Sequence, residues 1–136
     1  MAHIVEALSE APYDFILPLH PRTRKKLLES SIELGENIQS IEPIGYLDML
    51  ALELRAEAII TDSGGVQKEA YFLKKPCITL RNETEWIETL EHGWNILVGA
   101  DKKCILNSLK LLSRPKTHPM VFGKGNTALT ILNTLS

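Results

Sequence analysis

Four residues in mid-chain have the types and spacing to hold a phosphorylated ligand. They are Ser63, Gly64, Gly65 and Glu69, within Ser63-Gly64-Gly65-Val66-Gln67-Lys68-Glu69-Ala70. The apolar run Ala58-Ile59-Ile60 and the polar pair Thr61-Asp62 come just before. This order predicts a short buried strand, a tight polar turn, and a helix from about Gly65 through Leu73. Gly64 and Gly65 are expected to let the backbone turn where a side chain would clash. The first N–H groups of a helix have no partner inside it, and with the positive end of the dipole they favour an anion. Ser63 adds a hydroxyl at the same spot. Glu69 falls about five residues, so about 8 Å, into the helix. Its side chain leans back toward the N-terminus. That is roughly the distance from a diphosphate to the ribose diol of a nucleotide, and a carboxylate can accept from both hydroxyls. The other reading of this stretch is a glycine-rich strand-to-helix turn with Ser63 as its N-cap.

The elements that must position these residues follow from periodicity. Ile4–Leu8 reads as the end of an amphipathic helix. Phe15–Leu19 is a strand candidate, with Pro18 an objection to a central position. His20-Pro21 opens a helix whose buried stripe is Leu27, Leu28, Ile32 and Leu34, and Gly35 is expected to cap its end. Ile38–Ile41 is a second strand, and Pro43 and Gly45 form a turn. Leu47, Leu50, Ala51 and Leu54 recur at helical spacing. After the central strand, its helix carries Val66, Ala70 and Leu73 inward, and Pro76 stops it. Cys77–Leu80 reads as a strand covered on both faces. Asn82 and Glu85 match a capping box, with Ile87 and Leu90 expected to be buried. Asn95–Val98 is the last strand. Helices over 102–112 and 127–135 complete the chain.

Strands thus alternate with helices, the rhythm of an α/β fold with a parallel sheet and helices on both faces. One domain over residues 1–136 is expected. Ligands on such sheets bind at the carboxyl ends of the strands. His20, the Pro43 turn, Ser63-Gly64-Gly65, Arg81 and Gly99 all fall at those ends and are candidates for one rim. Each has a plainer alternative. His20 either caps its helix or joins the site. Arg81 either meets phosphate or pairs with Glu83 or Glu85. Asp62 reads as a helix cap, and Trp86 and Trp94 as core.

Composition narrows the class. The chain has 136 residues, 44% of them hydrophobic and 24% charged, with a net charge of −2. That suits one globular domain and gives no reason to expect nucleic acid. The basic cluster Arg22, Arg24, Lys25 and Lys26 is followed at once by Glu29, Glu33 and Glu36, as on a solvated helix face. Cys77 and Cys104 are expected to be free thiols. No apolar run has the length of a membrane span. Glu6 and Glu10 interrupt any signal-like segment, so a cytoplasmic location is expected. No metal and no cofactor are called for.

The residues after the turn extend the pattern: Leu73-Lys74-Lys75-Pro76-Cys77-Ile78-Thr79-Leu80-Arg81, Thr84-Glu85-Trp86-Ile87-Glu88 and Gly93-Trp94-Asn95-Ile96-Leu97-Val98-Gly99. With Pro18-Leu19-His20-Pro21-Arg22-Thr23, Pro43-Ile44-Gly45-Tyr46-Leu47-Asp48 and Gly123-Lys124-Gly125-Asn126-Thr127-Ala128, the chain resembles the C-terminal half of the non-hydrolysing UDP-N-acetylglucosamine 2-epimerases. The resemblance covers nearly the whole chain in the family's order. It implies the second of two Rossmann-like domains in the GT-B arrangement, and an isomerase used in polysaccharide biosynthesis. That isomerase inverts C2 of a UDP-linked N-acetylhexosamine, by anti elimination of UDP and its re-addition. By resemblance, Ser63, Gly64 and Gly65 bind the diphosphate and Glu69 the ribose. Backbone from Ile44 to Met49 meets the uracil, and His20 stands near the phosphates and aids the leaving group. The partners implied are UDP or UDP-N-acetylhexosamine, with a first domain or a second chain to complete the site. Gly123–Thr127 reads as a helix start.

Three departures qualify the resemblance. The family's carboxylate acids and bases come from its first domain. Its first strand of this domain would precede Met1, so the sheet is expected to lack that strand. The pattern Thr-Glu-Arg-Pro-Glu stands here as Thr84-Glu85-Trp86-Ile87-Glu88, and a Trp at this place resembles relatives acting on UDP-2,3-diacetamido-glucuronic acid. The chain alone is therefore expected to be inactive. The alternatives are a non-catalytic module binding UDP-sugar or a partner, or the matching domain of a GT-B glycosyltransferase.

Overall fold

The structure is a computed structural model that describes every residue except Lys124 and Ser136, and of Thr130 the backbone only. The elements run α1 (Ala2–Glu10), β1 (Phe15–Pro18), α2 (Pro21–Glu29), β2 (Ile38–Ile41), α3 (Tyr46–Arg55) and β3 (Ile59–Thr61). They continue with α4 (Gly64–Phe72), β4 (Cys77–Thr79), α5 (Ile87–Glu91), β5 (Asn95–Leu97), α6 (Lys102–Lys110) and α7 (Thr127–Leu135). All strand pairs are parallel, as the alternation of strands and helices requires.

Successive residues of a strand point to opposite faces, and here each face has its own helices. Ile78 packs with Ala7 and Ala11 beside α1 and with Ile105 and Leu109 of α6. Cys77 and Ile59 turn the other way, onto Ala70 and Val66 of α4. The expected sheet is hydrogen-bonded in two pieces, β1–β2 and β3–β4–β5. Among the described residues, β1 and β3 each pair with a strand on one side only. Pro18 is accordingly tolerated: it closes β1 opposite Ile41, on a strand with a free edge.

Several local expectations are corrected. The α2 helix stops at Glu29, with Ser31 at φ 51, not at Gly35. Gly35 is glycine because of a close approach: an added Cβ would lie 2.7 Å from both Ser9 and Asn37. Leu28 is 75% exposed, while Leu27 is buried and Ile32 and Leu34 still pack with it. Asn82 and Glu85 start no helix; α5 begins at Ile87, which is 60% exposed, and Thr89 takes the buried position. On α3, Leu47 and Leu54 are exposed and the buried residue is Glu53. Both cysteines are free, Cys77 buried and Cys104 exposed. Among the described residues, no helix is long and apolar enough to cross a membrane, and no cluster of His, Cys, Asp and Glu is placed to hold a metal.

Candidate functional site

The turn after β3 is fixed from both ends. Thr61 Oγ1 accepts from the Ser63 N–H at 3.0 Å, which bends the chain as the strand ends. Ser63, not Asp62, occupies the N-cap of α4, and its hydroxyl makes no capping bond. The amides of the first turn of α4 therefore have no side-chain acceptor from the cap, the condition for anion binding by a helix N-terminus. The helix starts one residue earlier than expected.

The two glycines differ in their reasons. Neither has a positive φ, so neither serves a left-handed turn. An added Cβ on Gly64 would lie 3.3 Å from Glu85 Oε2, 3.5 Å from Trp86 Nε1 and 3.8 Å from Arg81 Nη1. Gly64 is small because the loop after β4 closes over it. A Cβ on Gly65 would meet only Ser63 Oγ, at 3.7 Å.

That loop is held by a polar network that sequence reading missed. Gln67 of α4 is 1% exposed, and its Oε1 accepts from Thr84 Oγ1 at 2.6 Å and Asn95 Nδ2 at 3.1 Å. Asn95 also donates to Thr89 Oγ1 at 3.2 Å and accepts from Thr79 Oγ1 at 2.7 Å. Thr84 Oγ1 in turn accepts from the Trp86 N–H at 3.1 Å, and Trp86 O accepts from Thr89 Oγ1 at 2.7 Å. Hydrogen-bonded buried side chains rigidify what they join, here α4, β4, β5 and the loop 81–86, although the buried Gln67 Nε2 has no partner among the described residues. A glutamine between Val66 and Ala70 was the available signal.

The loop places three side chains at the mouth of the turn. Arg81 makes a two-pronged contact with Glu85, at 2.8 and 3.2 Å. Glu85 thereby raises the guanidinium pKa, and Arg81 lowers that of the Glu85 carboxyl. Arg81 thus pairs with Glu85 while lying beside Gly64. Trp86 is half-buried, not core, and its Nε1 donates to Gly64 O at 2.8 Å. Lys68 Nζ sits 4.3 Å from the Trp86 ring centroid and 5.0 Å from that of Phe122. Trp94 is core, and its Nε1 donates to Thr117 O at 2.9 Å. Gly99, at φ 58, donates its N–H to Arg81 O at 3.1 Å and so holds the same rim.

Glu69 lies on the face of α4 turned toward α3. Desolvation first, and then the Glu69 charge, raise the Tyr46 hydroxyl pKa. Glu53, 3% exposed, has no hydrogen-bond partner on either carboxylate oxygen. Burial first, and then the Glu69 charge, push its pKa up from 4.5 to about 7.

The β1–β2 end supplies the remaining candidates. His20 caps α2, with Nδ1 accepting from the Arg22 N–H at 3.2 Å. An accepting Nδ1 places the ring proton on Nε2, so the outward nitrogen is a donor. Ile44 is partly exposed in the turn before α3. The Met49 N–H is committed to Gly45 O at 2.9 Å, which leaves the backbone before it to meet a ligand. Gly123 and Gly125 both have positive φ ahead of α7, and Lys124 lies outside the described residues. Ser63, Gly64, Gly65, Arg81 and Glu69 are thus brought together around α4. His20 and Ile44 stand at the carboxyl ends of the other pair of strands, with no described hydrogen bond or ion pair joining them to that group.

The model of the family described as UDP-N-acetylglucosamine 2-epimerase matches residues 1–136. A Methanococcus maripaludis protein named UDP-N-acetylglucosamine 2-epimerase homolog is 49% identical over 99% of this chain and 39% of its own length. The UDP-2,3-diacetamido-2,3-dideoxy-D-glucuronate 2-epimerase of Pseudomonas aeruginosa is 46% identical over 81% of this chain and 31% of its own. Among solved structures, the Methanocaldococcus jannaschii UDP-GlcNAc 2-epimerase in complex with UDP-GlcNAc and UDP aligns over 98% of this chain and 38% of its own. Its TM-score is 0.81 and its identity 42%. The chain spans about two fifths of the length of the curated relatives it matches.

Proposed function

The chain belongs to the UDP-N-acetylglucosamine 2-epimerase family, and on that premise we propose that it is the UDP-binding part of a 2-epimerase acting on a UDP-linked N-acetylated sugar. The observation that carries this is the α4 N-terminus. Its Ser63 N-cap makes no side-chain bond, its Gly64 is closed on by Arg81 and Trp86, and Glu69 stands further along the same helix. The diphosphate would take the amides of Gly64 and Gly65 with the Ser63 hydroxyl, a geometry that favours anions. Arg81 would join it by exchanging one contact with Glu85. Glu69 would accept from the ribose diol, and Ile44 with the backbone up to Met49 would border the uracil. His20 would give the leaving diphosphate a hydrogen bond from Nε2. This reading is supported by the match to a protein whose structure holds UDP-GlcNAc and UDP. The proposed setting is cytoplasmic supply of sugars for polysaccharides, which rests on the family alone.

Inversion at C2 needs a base on one face of the sugar, an acid on the other, and a site closed to water. Around this rim, Glu69 is given to the ribose, Arg81 stays protonated, and His20 cannot serve both faces. The carboxylates would come from the remaining part of a full-length relative or from a second chain.

Proton NMR in heavy water tests both halves at once. With UDP-N-acetylglucosamine, saturation should pass from the protein to the uracil and ribose protons, and no deuterium should enter C2. Absent saturation transfer would overturn the UDP reading. Deuterium at C2 above a buffer control would overturn the claim that the chain is inert alone.

A further inference from the structure

Resting on that reading, we propose that Trp86 is a positioning residue for the diphosphate, acting through the Gly64–Gly65 peptide. Its indole N–H donates to Gly64 O at 2.8 Å. That oxygen and the Gly65 N–H belong to one peptide unit, which is planar and trans. In a trans peptide the C=O and the N–H point in opposite directions. A donor held on Gly64 O therefore fixes the direction of the Gly65 N–H, toward the N-terminal end of α4, where the diphosphate is placed. Inside a helix a carbonyl accepts from the N–H four residues on, and for Gly64 that residue is Lys68. The indole is then a second donor on an oxygen with two lone pairs. Donors on a C=O polarise its peptide, so the Gly65 N–H becomes a stronger donor in turn.

Each polar group of Trp86 is engaged. Its backbone N–H donates to Thr84 Oγ1 at 3.1 Å, and its O accepts from Thr89 Oγ1 at 2.7 Å. Both partners belong to the buried network around Gln67 and Asn95, so the base of the side chain is fixed. The ring is fixed as well. Lys68 Nζ lies 4.3 Å from its centroid, and Phe122 meets it edge-on at 5.8 Å and 85°. Lys68 is one turn beyond Gly64 on α4, so its ammonium serves the same face of the helix. A cation against an aromatic face is attracted by the π density and polarises it, which leaves the indole N–H a better donor. An added Cβ on Gly64 would already touch Nε1, at 3.5 Å, so glycine keeps this approach open.

The test removes the indole N–H. Trp86→Phe does so with a smaller ring. Benzothienylalanine in place of Trp86 does so with the same shape, sulfur standing where the N–H was. UDP and inorganic pyrophosphate are titrated calorimetrically into each protein. Both replacements should weaken both ligands by the same factor, about fivefold, as for the loss of one hydrogen bond. In nitrogen–proton correlation spectra, UDP should move the Gly65 amide less in the benzothienylalanine protein than in the wild type. The Val66 amide, whose peptide carries the Gly65 carbonyl, should keep its response. Wild-type affinity in the benzothienylalanine protein would overturn the proposal. So would a loss confined to UDP, which would assign Trp86 to the nucleoside. Gly65 and Val66 responses lost together would also overturn it, because they would reduce Trp86 to a support of the loop. If Trp86→Phe does not fold, the benzothienylalanine protein decides alone. A wild type that binds neither ligand is a different outcome, and it overturns the proposed function itself and this inference with it.

Discussion

Replacing Glu53 by leucine should stabilise the fold, by on the order of 3 kcal/mol at pH 8 and by less at pH 5. Glu53 is 3% exposed without a hydrogen-bond partner, and its pKa is raised from 4.5 to about 7. Below the unfolded value both states hold the proton and the folded state has no ionisation penalty. Between the two values the unfolded chain gives up the proton while the folded chain keeps it, so stability falls as pH rises. Above about 7 the penalty is complete. Leucine has no charge to bury and adds apolar contact on a helix already flanked by Leu50 and Leu52, as when a buried ionic group yields to a hydrophobe. Glu85 and Asp101, whose pKa values are lowered, work in the opposite sense, but only in acid. Urea unfolding from pH 5 to pH 8 should show wild-type stability declining and Glu53→Leu nearly level. A wild-type curve that rises over this window would contradict the assignment.

Glu69→Ala should cost UDP affinity on the order of a hundredfold, from two hydrogen bonds to a charged acceptor at about 1.5 kcal/mol each. Inorganic pyrophosphate has no ribose and should change by no more than about threefold. If anything it should gain, because a negative charge near the anion site is removed. The comparison separates the ribose role from a general effect on α4. Equal losses for both ligands would mean that the substitution disturbs the helix, not a diol acceptor.

The parts of this arrangement that could be read in the sequence are those set by local chemistry. A strand, a serine and two glycines before a helix give a turn whatever surrounds them, and β3, Ser63 and α4 follow that rule. Strands separated by helices pair in parallel here, so Ser63 and Arg81 follow the same ends of β3 and β4, while His20 follows the end of β1 in the other pair. The misses come from competition between distant groups. Leu47, Leu50 and Leu54 mark a stripe on α3, but spacing does not say which face the neighbours cover, and the covered face carries Glu53. Asn82 and Glu85 have capping-box spacing, but Arg81 takes the Glu85 carboxylate and the helix waits until Ile87. Gln67 and Asn95 meet across 28 residues of chain, beyond any local pattern. A glycine at a strand-to-helix turn suggests a conformational need, but the constraint on Gly64 is the later loop that closes on it.

The most direct test of the account is a calorimetric and thermal-unfolding titration of the chain with UDP. Only the folded state presents the Ser63–Gly65 turn, so UDP at about a hundred times its dissociation constant should add about 2.7 kcal/mol of stability and saturate with one ligand per chain. No heat of binding and an unmoved unfolding transition at millimolar UDP would contradict it.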